Sequence, residues 1–281
     1  MASLSISAAW DETKAVLARD GRLFASVALA LTVLPAAIVG AFYPGGLSTA
    51  IFAVFESNSL GLTVLVVAVF LVILTGQLAI TRLAIGPSIT VGGAITHSAR
   101  RLPSYVAVAL IMSAAIMVVM LVGAAFIATT VKTPVSEEEL AKAPAVAVVV
   151  LVMLAAYLFL MTRIVSVAAA VATTEGTGPL RIIRRSWALT SGHFWRLLGF
   201  LLVYLIGTGI AEYAVISVVG TVTPMLLGNM DPMSASALVL ALVAALANGI
   251  VIVVLAVMLA RIYVQLARRA EAQPSVPSSG T

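Results

Sequence analysis

The sequence predicts an all-α, polytopic membrane protein of six transmembrane helices. Three observations predict it. Of 281 residues, 62% are hydrophobic and only 10% are charged, whereas a soluble domain carries about 45–50% apolar and about 25% charged residues. The mean hydropathy of +1.17 is more than a water-soluble globule of this size can hide. The apolar residues also fall into six runs, each long enough for the ~20 residues that a membrane-crossing helix needs.

The spans are expected at residues 23–43, 60–85, 103–131, 144–172, 195–222 and 235–265, within one membrane domain covering 1–270. The first is read as a span and not as a cleaved leader. Its apolar run exceeds a leader's core, and Tyr43-Pro44-Gly45-Gly46 is a poor cleavage site. Pro35 inside it should kink the helix. Pro103 and Pro144 suit a first helical turn, where the missing N–H leaves no bond unmade. The segment from Leu83 to Ala99 has no formal charge, but Gly86-Pro87-Ser88 and Gly92-Gly93 make it a poor membrane helix. The connections are too short for a second domain. The tail, 271–281, reads as disordered and cytoplasmic.

Charge sets the expected orientation. Fourteen of the 16 basic residues lie on one side of the spans, leaving only Lys132 and Lys142 on the other. Glu56, Glu137, Glu138, Glu139 and Asp231 share that other side. The positive-inside rule then puts both termini in the cytoplasm and the protein in the cytoplasmic (inner) cell membrane. Glu137–Glu139, following Ser136, are expected to begin a solvated outer helix. The net charge of +5 speaks for anionic headgroups and not for nucleic acid, because the basic residues sit at the ends of apolar runs.

The chain also reads as three copies of one unit. Each has a basic lead-in, a span opening near an aromatic residue, an outer loop and a returning span that ends in arginine. Phe24 to Arg82 and Tyr105 to Arg163 are both 58 residues, while Trp195 to Arg261 is 66. The expected product is three helical hairpins around a common axis, with Arg82, Arg163 and Arg261 at one interfacial depth.

Residues that could carry chemistry are few. Cysteine is absent, which removes disulfides, thiolate metal sites and a cysteine nucleophile. His97, read as an interfacial loop residue, and His193, read as part of a helix cap, are isolated and supply no zinc site. No catalytic, cofactor or metal site is expected. Glu212 is the one acid inside an expected span. It is read as polar packing, with Gln77 and Asn248 as candidate partners, ahead of a role in proton relay.

Most informative is the stretch before the fifth span. Pro179 suits a helix start and Gly192 its stop. On a helical wheel Arg181, Arg184 and Arg185 share one face, while Leu180, Ile183 and Trp187 share another. Two readings stand: an elbow that positions the fifth span, and a site for a phosphorylated headgroup with Arg181, Arg184, Arg185 and Trp187 as its contacts.

The same stretch carries a resemblance. Arg185, Ser186, Trp187, Leu189, Thr190, Gly192, Phe194, Trp195 and Arg196, leading directly into a span, resemble the glycerophosphoryl diester phosphodiesterase membrane-domain family and related bacterial integral membrane proteins. The resemblance implies the membrane part of such proteins. It transfers no catalytic residue, because the carboxylate-held metal and histidine pair of the phosphodiesterase barrel have no counterpart here.

The function expected from all this is non-catalytic: interaction with membrane lipids, anionic ones at the inner leaflet, or with a partner protein, in envelope maintenance. A small-solute or lipid transporter using Glu212 is the second reading, and a lipid-modifying enzyme the third.

Overall fold

The computed structural model describes residues 5–43, 45–57, 59–86, 90–130, 144–175 and 178–272. Every element among them is helical, and six helices are long and apolar enough to cross a membrane. The expected acidic stretch Glu137–Glu139, with Lys132 and Lys142, lies outside the described residues, as does the tail beyond Ala272.

The first helix, α1, runs over Ile6–Phe42. Ser5 caps it, its hydroxyl accepting from the Ala8 N–H at 3.2 Å. A π turn at Leu29–Val33 interrupts it just before Pro35, with the Leu34 N–H donating to the Leu29 carbonyl. A proline ring clashes with the carbonyl four residues earlier and lacks an N–H. One turn of wider register absorbs that mismatch, so the helix continues through Pro35. A short apolar helix that the sequence does not lead one to expect, α2 (Gly46–Ser57), lies in the connection between the first two spans.

The returning span α3 (Leu60–Ile85) is capped by Ser59 and ends at Gly86. The next helix, α4 (Val91–Thr130), holds a correction. It begins well before the expected span, so Pro103 lies in the helix interior and not in its first turn. His97 is consequently a helical residue and not a loop residue. Residues 144–174 form α5, with a second π turn at Met161–Val165. An elbow helix, α6 (Pro179–Thr190), follows, and Gly192 (φ +83°) makes the turn out of it. Two long spans close the chain, α7 (Phe194–Leu227) and α8 (Ala235–Ala272).

The spans pack as a ring of hairpins. The returning spans α3, α5 and α8 all touch one another and form the inner triangle. Each leading span seats against its own returning span and that of the unit before it. Thus α1 lies between α3 and α8, α4 between α5 and α3, and α7 against α8 with a foothold on α5. Glycines mark the closest approaches. A Cβ on Gly249 of α8 would come 2.6 Å from Val33 Cγ2, and one on Gly76 of α3 would come 2.9 Å from Leu31 Cβ, so both spans press on the π-turn region of α1.

The main core lies at the arginine-rich end. Leu78, Ile164, Val167, Val171, Met258 and Ile262 meet there from the three returning spans. Toward the other end burial falls away, and the apolar surface of α4, α5 and α7 is available to lipid.

Candidate functional site

Each unit carries an amphipathic lead-in at the arginine-rich end: the first turns of α1, the first turns of α4, and α6. The three share a feature. Ala9 and Thr13, Ala94 and Ser98, and Ile182 and Ser186 are pairs four residues apart, and all six residues are fully enclosed, at 0% exposure. Four residues is about one helical turn, so each pair forms a stripe that faces the core. Small or apolar residues followed at i+4 by a hydroxyl were the sequence signal for it.

That stripe changes the picture of α6. Ile182, Ser186, Leu189 and Thr190 are its buried residues. The face drawn from Leu180, Ile183 and Trp187 is split: Ile183 packs against the main core, while Leu180 is 68% exposed and Trp187 42%. The helix therefore has three sectors, one packed on protein, one apolar and exposed, and one basic. Within the basic sector Arg181 and Arg184 are exposed, but Arg185 is half-buried. Its Nε donates to Glu175 Oε1 at 2.9 Å. Tyr263 of α8 donates to the same carboxylate oxygen at 3.3 Å and shares a 2.8 Å contact with the Thr174 hydroxyl. Arg185 thus ties the elbow to the ends of α5 and α8, while Arg181 and Arg184 remain directed outward.

The other end of the elbow is fixed by Arg163. Its guanidinium carbon lies 5.1 Å from the Trp187 ring centre, 5.3 Å from Phe194 and 5.8 Å from Phe159. Phe159 also meets Trp187 edge-on at 5.5 Å and Phe194 at 5.6 Å. Arg163 Nη1 donates to the Ser191 hydroxyl at 3.3 Å. Arg163 lies within the π turn, and its carbonyl accepts from the Thr190 hydroxyl at 3.0 Å. Trp187 is therefore half anchor and half wall of an aromatic cage.

Arg82 and Arg261 occupy the corresponding places on α3 and α8. All three arginines are half-buried, with Nε shielded from solvent. Each sits beside the lead-in of the following unit. For Arg163 that is α6. For Arg261 it is α1, whose Glu12 and Asp20 act on it electrostatically. Leu83 and Ile85, flanking Arg82, share a cluster with Val91 and Ile95 of α4.

The two histidines serve packing: His97 Nε2 lies 2.8 Å from the Thr173 carbonyl, and His193 Nδ1 lies 3.3 Å from that of Ser191. Glu212 stands apart from this end. It lies on the side of α7 that meets α8, where Asn248 Nδ2 donates to its Oε1 at 3.4 Å. Nearby, the Tyr204 hydroxyl donates to the Val251 carbonyl at 2.6 Å. Among the described residues, no group of His, Asp and Glu side chains could hold a metal ion.

Taken together, the spans, the ring of hairpins and the basic elbow define a multi-pass, all-α membrane protein with its polar machinery gathered at one end. The chain belongs to the DUF7847 family, a domain of unknown function, whose sequence profile matches residues 4–266. No curated protein and no solved structure matches it.

Proposed function

We propose that the protein is a non-catalytic component of the cytoplasmic membrane that holds anionic phospholipid headgroups at its arginine-rich end, with both termini in the cytoplasm. The observation that carries this reading is the three-sector helix α6. Its Ile182 stripe is locked into the core. That fixes the rotation of the helix, so that Leu180 and Trp187 lie at the level of the acyl chains while Arg181 and Arg184 reach toward phosphate oxygens. The concentration of basic residues at this end supports the orientation. The likeness of Arg185–Arg196 to the glycerophosphoryl diester phosphodiesterase membrane domain fits the same reading, as a membrane part without the enzyme. A role in envelope maintenance is the setting we assign to it.

The test is retention of anionic lipid in nanodiscs of defined composition at two salt concentrations, comparing the wild type with the Arg181→Gln/Arg184→Gln variant. Arg185 is left in place because its loss would strand Glu175. Each basic residue near an anionic leaflet contributes about 1 kcal/mol, so the pair should shift retention by about 2 kcal/mol, roughly 30-fold, in low salt. Equal retention by both proteins, insensitive to salt, would leave α6 as an elbow that orients α7 and would remove the lipid reading.

A further inference from the structure

The ring of hairpins has three seams between units, and they are not alike. The seam between α8 and α1 is closely packed at two levels, beside a shallow apolar groove where Leu34, Ile38 and Phe42 of α1 face Leu238 and Leu242 of α8. A Cβ on Gly40 would lie 3.0 Å from that of Ala241 toward one end, and Gly249 abuts Val33 nearer the other. The seam between α3 and α4 is also extensively packed. The third, between α5 and the α7–α8 hairpin, is closed only at the arginine-rich end. There Phe159, Trp187 and Phe194 surround Arg163. Beyond that floor the far half of α5 packs on α4, while α7 packs on α8, with no substantial contact joining the two pairs among the described residues. The α5 surface that borders this stretch is apolar and exposed, including Leu151 and Leu154. The open seam is also the one bordered by the helices that carry Glu212 and Asn248. Glu212 is half-buried and Asn248 is exposed.

The dimensions are those of one lipid chain. At 1.5 Å per residue, Asn248 lies about 20 Å along α8 from Arg261, well inside a hydrocarbon core of about 30 Å. That run is longer than one leaflet's half of the core, about 15 Å, and matches a single extended alkyl chain of the hexadecyl class. Glu212 uses one oxygen on Asn248. Its second oxygen and the Asn248 carbonyl are both acceptors. A carboxyl group at this depth is best satisfied by a donor that also carries positive charge.

We propose that the open seam is a lateral binding site for a single-chain cationic amphiphile, with a long-chain ammonium headgroup on Glu212 and Asn248 and the tail running down between α5 and α7 to Phe159. This site is separate from the α6 lipid contact, lies toward the opposite end of the spans and takes the opposite charge.

The probe is radiolabelled hexadecylammonium, with binding measured on the full chain in nanodiscs. Saturable binding should be competed by unlabelled amine but not by hexadecanol or hexadecyl sulfate. Glu212→Gln, which keeps shape and hydrogen bonding, should weaken it about tenfold or more. Arg181→Gln/Arg184→Gln should leave it unchanged, which separates this site from the α6 reading. As a second measurement, spin labels on Leu151→Cys and Ile210→Cys should report an open seam in the cysteine-free background. Non-saturable uptake, competition by all three chains alike, undiminished binding by Glu212→Gln, or a label distance showing α5 and α7 in contact would each overturn the proposal.

Discussion

Arg163 shows how one residue can take several roles when the backbone around it changes register. Within the π turn its carbonyl accepts from Thr190 while its guanidinium sits among three aromatic rings. Cation–π contacts contribute about 0.5–1 kcal/mol at exposed sites and about 2 kcal/mol or more when desolvated. Arg163→Ala should therefore loosen α6 without unfolding the spans. Amide hydrogen exchange in residues 182–191 should rise by roughly tenfold or more, while exchange in α8 stays unchanged. Exchange in α6 that matches wild type would mean that the cage is incidental and that the Ile182 stripe alone holds the elbow. Arginine at the end of a returning span was legible in the sequence. The cage was not, because Phe159, Trp187 and Phe194 come from three separate helices, and ring contacts are tertiary facts.

At the scale of the element, α6 shows why a wheel drawn from one helix is incomplete. Its hydrophobic residues fall on two sides, and the sequence pattern does not say which side meets protein and which meets lipid. The structure assigns Ile182, Ser186 and Leu189 to the core and leaves Leu180 and Trp187 outside. The two sides should respond differently to truncation. Ile182→Ala, at a fully enclosed position, should destabilise the detergent-solubilised protein by about 2–5 kcal/mol. Leu180→Ala, at a position 68% exposed, should change thermal stability by less than about 0.5 kcal/mol. Comparable losses at both positions would contradict the assignment of faces. The Pro103 correction has a related cause. The lead-in of α4 is joined to its span as one helix, whereas Gly192 separates α6 from α7. A proline that suits a first turn is also tolerated inside a membrane-protein helix where neighbouring groups compensate.

For the whole molecule, the charge asymmetry and the ring of hairpins predict a defined topology. In intact cells an impermeant thiol reagent should label Asp231→Cys, in the connection between α7 and α8, and should not label Arg181→Cys until the membrane is permeabilised. The reverse pattern would invert the orientation and move the lipid contact to the outer leaflet. The repeat is visible in the contacts as well as in the spacing. The three returning spans converge, and each buries a core residue near its terminal arginine: Leu78, Ile164 and Ile262. The longer third unit is also the one whose leading span is least held by its neighbours, and it leaves the seam open beside Glu212 and Asn248.

The sequence by itself determined the class, the number of spans, the side that carries the arginines, the three-unit order and the presence of an elbow bounded by Pro179 and Gly192. These are local properties: the length of an apolar run, the charge at its ends, and the backbone preferences of proline and glycine. It also named Asn248 as a candidate partner for Glu212, because polar groups within spans are few. Only the tertiary structure decided that Arg185 is committed to Glu175 while Arg181 and Arg184 face outward, that Ile182 and not Trp187 is the core residue of α6, and that one of three similar seams stays open. The physical reason is that in a bilayer, lipid-facing and protein-facing surfaces draw on the same apolar side chains. Hydrophobicity therefore places a helix in the membrane without saying which neighbour it will have.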